Sequence, residues 1–188
     1  MAEVIRIVRR LTRAALAATL ICASAVNGRA QGPSEYEVKA AYLYRFARFV
    51  GWPAAASGSP FVLCVVGDDP FGPLLDEVAA KAVMKDKPVR IRRISQLDEI
   101  GSCHTLFVSS SEDVRLAGIL ETLNRRPVLT VGDTPQFAQR GGMIGFSVQS
   151  NRVRFTVNLG AAQDAGLTLN SELLRVATTV LRARQPRT

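Results

Sequence analysis

Phe61-Val62-Leu63-Cys64-Val65-Val66, followed at once by Gly67-Asp68-Asp69-Pro70, decides the fold. A continuous apolar, β-rich run suits a strand buried on both faces, as in a parallel sheet. Gly-Asp-Asp-Pro is turn chemistry, and Phe71 to Lys81 then reads as a helix. Upstream, Glu35 to Gly51 predicts a helix whose stripe is Val38, Tyr42, Phe46 and Phe49, with Lys39, Arg45 and Arg48 largely off it. Gly51 and Pro53 end that helix, and Ala54 to Ser59 reads as a loop.

Downstream the strand–helix pattern repeats. Pro88 to Ile94 alternates Val89 and Ile91 with Arg90 and Arg92, as a half-buried or edge strand does. Thr105 to Val108 is a short buried strand, and Glu112 to Leu123 a helix with Ser111 as its N-cap. Val128 to Val131 is a further strand, and Thr134 to Gln139 a short helix. Met143 to Val148 and Val153 to Val157 flank Gln149-Ser150-Asn151-Arg152 as a hairpin. Ala161 to Gly166 reads as a helical turn. Ser171 to Arg184 predicts a final helix with Leu173, Leu174, Ala177, Val180 and Leu181 on one stripe, capped by Asn170 or Ser171. Arg182 and Arg184 would complement the dipole at its far end. The expected fold is α/β, a three-layer sandwich with helices on both faces. Its central sheet is mostly parallel and ends in an antiparallel C-terminal hairpin.

The first thirty residues read as a signal peptide. Arg6, Arg9, Arg10 and Arg13 precede a short apolar run, Ala14 to Val26, and Gly28 and Ala30 occupy the −3 and −1 positions before Gln31. The run falls short of the roughly 20 apolar residues of a membrane span. Ile21, where a small residue would be needed, argues against lipidation of Cys22. The expectation is a cleaved segment, 1–30, and one domain, 31–188, with no direct membrane insertion after cleavage. The segment carries five Arg and one Glu, so half of the +8 formal charge leaves with it. The remaining domain is mildly basic, which gives little support to nucleic-acid binding. Cys64 and Cys103 remain, an even count that in an oxidising compartment suggests a bridge; two buried free thiols are the alternative.

The catalytic and nucleotide-binding options of such a fold lack their residues. Gly67 to Gly72 does not have the G-x-G-x-x-G spacing and puts two carboxylates where a phosphate needs N–H groups. Asp68 and Asp69 resemble the acidic pair of a phosphoreceiver, but the strand Thr105–Val108 leads into Ser109-Ser110-Ser111 instead of an acceptor Asp, and no Lys follows Lys87. His104, the single histidine, adjoins Cys103 on a strand, where neighbours point to opposite faces. It reads as structural, and neither a catalytic pair, a metal site nor a cofactor is expected. Surfaces remain: Arg45, Arg48 and Trp52, with Phe46 and Phe49 nearby, and the basic stripe Arg90, Arg92 and Arg93, which reads as an edge that blocks strand pairing or as an interaction face.

Val38-Lys39-Ala40-Ala41-Tyr42-Leu43 through Phe49-Val50-Gly51-Trp52-Pro53, the run FVLCVVGDDPF (61–71) and GGMIGFSVQSNRVRFTVNLGAAQDAGLTLNSELLRVA (141–177) together resemble the YfiR family. The resemblance implies a bridge between Cys64 and Cys103. A second cysteine pair found in some relatives has no counterpart here. It further implies a non-enzymatic periplasmic regulator that binds the periplasmic region of an inner-membrane diguanylate cyclase, represses it and so lowers cyclic di-GMP and biofilm formation. Homodimers occur among relatives. Arg45, Arg48 and Trp52 are the expected partner-binding residues. The competing expectation is a periplasmic small-molecule-binding accessory of an uptake or sensing system, and a weaker one an unrecognised enzyme.

Overall fold

The first helix begins where its sequence can satisfy its own free N–H groups. In a computed structural model, which describes residues 32–56, 60–84, 86–123 and 125–182, Ser34 Oγ accepts from the Glu37 amide, and Glu37 accepts in return from the Ser34 amide. The proposed signal segment, 1–30, lies outside the described residues. Helix α1 runs Glu35–Arg48. Its buried face is Lys39, Ala40, Leu43, Phe46 and Ala47, one residue round from the predicted stripe. Val38, Tyr42 and Phe49 are only half-buried, on its flank, and Lys39, expected outside, is inside.

The following elements alternate: β1 (Val50–Gly51), β2 (Phe61–Val66), α2 (Pro73–Ala80), β3 (Val83–Met84), β4 (Lys87–Ile94), β5 (Thr105–Val108), α3 (Leu116–Leu123) and β6 (Leu129–Gly132). Then come β7 (Ile144–Gln149), β8 (Arg152–Asn158), α4 (Leu159–Asp164), β9 (Thr168–Leu169), α5 (Ser171–Val176) and β10 (Thr179–Leu181). Eight strands form one sheet in the order β10-β8-β7-β6-β5-β2-β4-β3, and β1 pairs with β9 apart from it. β2 lies parallel between β4 and β5, and β5–β6 and β6–β7 continue parallel. The β7–β8 hairpin turns through Ser150 and Asn151, whose φ values of 48° and 57° are those a two-residue I′ turn requires.

The chain leaves β2 for β4 in one direction and β5 for β6 in the other. Right-handed crossovers then put α2 and α3 on opposite faces. The packing agrees with this. Leu63, Val65, Phe107, Leu129 and Val131 face α1, α2, α4 and α5, whereas Cys64, Val66, Leu106 and Val108 face α3 and the 3₁₀ turn Leu97–Ser102. The second of these layers holds the disulfide Cys64–Cys103, whose Cα atoms are 5.8 Å apart and which joins β2 to the entry of β5.

Three helical expectations are corrected. Ser171–Arg184 is not one helix: α5 ends at Val176, Ala177 is extended, and the Thr178 amide donates to Phe155 O. Thr179, Val180 and Leu181 then pair in parallel with Thr156, Val157 and Asn158. A β-branched stretch beside the open edge of β8 satisfies its backbone in a ladder instead of a helix. Arg182 therefore follows a strand, and Arg184 lies outside the described residues. Thr134–Gln139 forms turns, with Gln136 at φ 57° and Phe137 buried. Glu112–Leu123 opens as a 3₁₀ turn, Ser110–Glu112, before α3 begins at Leu116. Ser109 caps that turn by accepting from the Ser111 amide, while Ser111 Oγ accepts from the Asp68 amide.

Candidate partner-binding groove

Helices α1 and α5 are held side by side at their ends. The Asn170 amide donates to Phe49 O at 2.9 Å, and Asn170 Oδ1 caps α5 by accepting from the Glu172 amide at 2.8 Å. The β1–β9 pair adds Val50↔Leu169 and Gly51↔Thr168 beside this link. Between the helices lies an open groove of ≈ 520 Å³. Tyr42, Phe46, Phe49, Phe155 and Leu173 supply its apolar surface. Tyr42, Phe46 and Phe155 form one aromatic cluster, with Phe46 and Phe155 4.8 Å apart in an edge-on contact. Arg45 and Arg48 from α1, and Arg175 with Glu172 from α5, are the charged side chains at its walls. Among the described residues none of these three arginines is ion-paired.

Of the residues expected to bind a partner, Arg45 and Arg48 line this groove. Trp52 does not: it is half-buried against Phe61, ring centroids 5.3 Å apart. Phe46 is core, and Phe49 borders the groove. Arg175, Phe155 and Val176 were not singled out in the sequence, because reading 171–184 as one amphipathic helix gives no reason for α5 to stop beside α1.

The basic stripe on β4 is mostly engaged inside the fold. Arg93 reaches Asp69 and Asp76, both at 2.7 Å, and Gly72 O at 2.8 Å; Arg92 pairs with Glu99 at 2.7 Å. Hydrogen bonding to Arg93 holds the Asp76 carboxyl below its ordinary range. Asp69 also accepts from the Phe71 amide, so the acidic turn after β2 holds its own backbone and clamps β4 through Arg93. His104 accepts from the Val62 amide through Nδ1 at 3.1 Å and stacks near Phe61, which makes it a joint between strands.

One buried charged cluster had no sequence signal beyond an off-stripe lysine. Lys39 Nζ lies 2.8 Å from Asp133 Oδ2 and 2.6 Å from Glu35 Oε1, and the Tyr36 hydroxyl donates to the same Asp133 oxygen at 3.1 Å. Burial pulls the lysine pKa down, but the hydrogen bonds to Asp133 and Glu35 outweigh it and leave the group above its ordinary value. Burial first, and the Asp133 charge second, raise Tyr36. Among the described residues no group of three or more His, Cys, Asp or Glu side chains is placed to hold a metal ion, and no helix is long and apolar enough to cross a membrane.

Solved structures share the fold. A conserved domain protein from Vibrio cholerae O1 biovar El Tor superposes with a TM-score of 0.56 at 12% identity over 78% of this chain. An ABC domain in complex with L-Trp from Streptococcus pneumonia gives 0.53, also at 12% identity, over 76%. This chain spans 60% of the length of each. No curated protein matches the sequence. The profile of one family covers residues 36–178, from α1 to the entry of β10, and the chain belongs to that family, described as YfiR/HmsC-like.

Proposed function

We propose that this chain is a periplasmic regulatory protein that represses an inner-membrane diguanylate cyclase by binding its periplasmic sensor region, and so lowers cyclic di-GMP. In this reading residues 1–30 are removed on export and 31–188 act as one domain, without catalysis and without a cofactor. The observation that carries it is the groove between α1 and α5, where Arg45, Arg48 and Arg175 stand unpaired among the described residues beside an aromatic floor. Arginine and aromatic side chains are the residue types over-represented at interface hot spots. Membership of the YfiR/HmsC-like family supports the same reading. Trp52 then acts behind the surface, packing on Phe61 below α1.

A second reading, a small-molecule-binding accessory of an uptake or sensing system, draws on the groove volume of ≈ 520 Å³, which lies within the roughly 300–1,000 Å³ of ligand sites. The deciding experiment is affinity capture of the tagged, exported protein from gently solubilised membranes, followed by mass spectrometry. Recovery of an inner-membrane protein with a cyclase domain is the expected result. Recovery of uptake components alone would replace the first reading with the second.

A further inference from the structure

We infer that the groove between α1 and α5 takes an acidic, amphipathic segment of a protein partner, with apolar side chains on the aromatic floor and carboxylates against Arg45, Arg48 and Arg175. This deepens the proposed function and rests on its premise that a protein binds here.

Charge is the first argument. Three arginines and one glutamate, Glu172, line the groove. None of the three groove arginines has an ion-pair partner among the described residues, so their charge is left for an incoming group. Like charges around one concave surface repel, and an incoming set of carboxylates relieves that repulsion while forming charge-assisted, often bidentate contacts.

Shape is the second argument. The groove is open, and it shares Arg48, Phe49 and Asn170 with a shallower space of ≈ 280 Å³ along β1 and β9. A continuous trough suits a stretch of chain better than an enclosed small molecule. Val176, 65% exposed at the end of α5, extends the apolar surface to the rim. Arg45 and Arg48 stand three residues apart on α1, roughly 4.5 Å along its axis. Arg175 belongs to the other wall. The occupant therefore needs carboxylates about one turn apart on one flank, another on the opposite flank, and large apolar residues between, the pattern of helix-in-groove and acidic-motif recognition.

The test places a photo-crosslinking amino acid at Val176 in the full exported chain, and at Val83, 59% exposed on β3, as a control. Irradiation of intact cells is followed by mapping of the crosslinked peptides. The expected Val176 adduct lies in a segment with a net negative charge and apolar residues at helical spacing, absent from the Val83 control. Reversal by R45E, R48E and R175E together should cut its yield by about tenfold or more, and lysine at the same positions should keep most of it. No adduct at Val176, an adduct on a neutral or basic segment, or a yield untouched by charge reversal would overturn the inference. If a cyclase is captured but crosslinks only outside the groove, this inference falls and the proposed function stands. If the acidic segment belongs to a protein without a cyclase domain, the inference stands and the proposed function falls.

Discussion

Replacing Lys39 with methionine should remove about 3–5 kcal/mol of stability, the usual cost of stranding one member of a buried ion pair. Lys39 is 3% exposed, and the Asp133 side chain beside it is 6% exposed. Without the ammonium, Asp133 keeps only the Tyr36 hydroxyl at 3.1 Å among the described residues, and its Oδ1 is already buried without a hydrogen bond. Methionine has nearly the length of lysine, so little of the loss is a cavity. Glu35 is 43% exposed, and its i,i+4 contact with Lys39 is worth only about 0.5 kcal/mol. Glu35→Ala should therefore cost far less than Lys39→Met. Lys39→Met combined with Asp133→Leu should cost less than the two single changes together, because neither charge is left stranded. Urea denaturation of the oxidised wild type and of these four variants measures each difference. In heat, at about 2–4 °C per kcal/mol for a domain of this size, Lys39→Met should melt roughly 6–20 °C lower. A loss below about 1 kcal/mol, or strict additivity in the cycle, would refute the view that this pair pins α1 to the end of β6.

Three further outcomes are expected. Converting Cys64 and Cys103 together to alanine should cost about 4 kcal/mol, since the bridge closes a separation of 39 residues; thiol labelling of the denatured, unreduced wild type should find no reactive cysteine at these positions, and two labelled thiols would refute the bridge. Gly67 has φ 86°, and a Cβ there would lie 2.5 Å from Ser111 Oγ and 2.7 Å from Glu112 Cγ; Gly67→Ala should lose about 2 kcal/mol or more in the same denaturation assay, and an unchanged midpoint would refute the packing of that turn. Lys39 titrates above its ordinary 10.5 and Tyr36 above its ordinary 10.0, so the stability both contribute is fully present below those values and drains as pH rises through their raised folded values. Melting followed upward from about pH 8 should therefore fall beyond about pH 10, and Lys39→Met should flatten that fall; identical slopes would refute the assignment.

The parts of the fold that were legible are those where one strong local pattern decides the structure. Phe61–Val66 and Thr105–Val108 are strands at the expected residues, because unbroken apolar runs between turn residues have few other ways to bury both faces. The hairpin around Ser150 and Asn151 was legible for the same reason. The order of β5, β2 and β4 was not, since it depends on crossovers and not on any one segment. Lys39 and Asp133 are 94 residues apart, and neither residue announces the other. The half of the groove on α1 could be anticipated, because arginines beside an aromatic stripe are visible in a helical repeat.

The other half of the groove depends on the element that was misread, and the two facts have one cause. Leu173, Leu174, Ala177, Val180 and Leu181 fit a helical stripe, so periodicity alone carries the helix on to Arg184. The structure instead spends Thr179–Leu181 on the free edge of β8, which only the folded hairpin provides. That return to the sheet stops α5 at Val176, exposes Val176 at the rim and sets Arg175 on the wall opposite Arg45 and Arg48. Had the helix continued, no short α5 would end beside α1. The groove is thus a tertiary product: local preference supplies the arginines, and competition between a helix and a sheet edge decides that they line one groove.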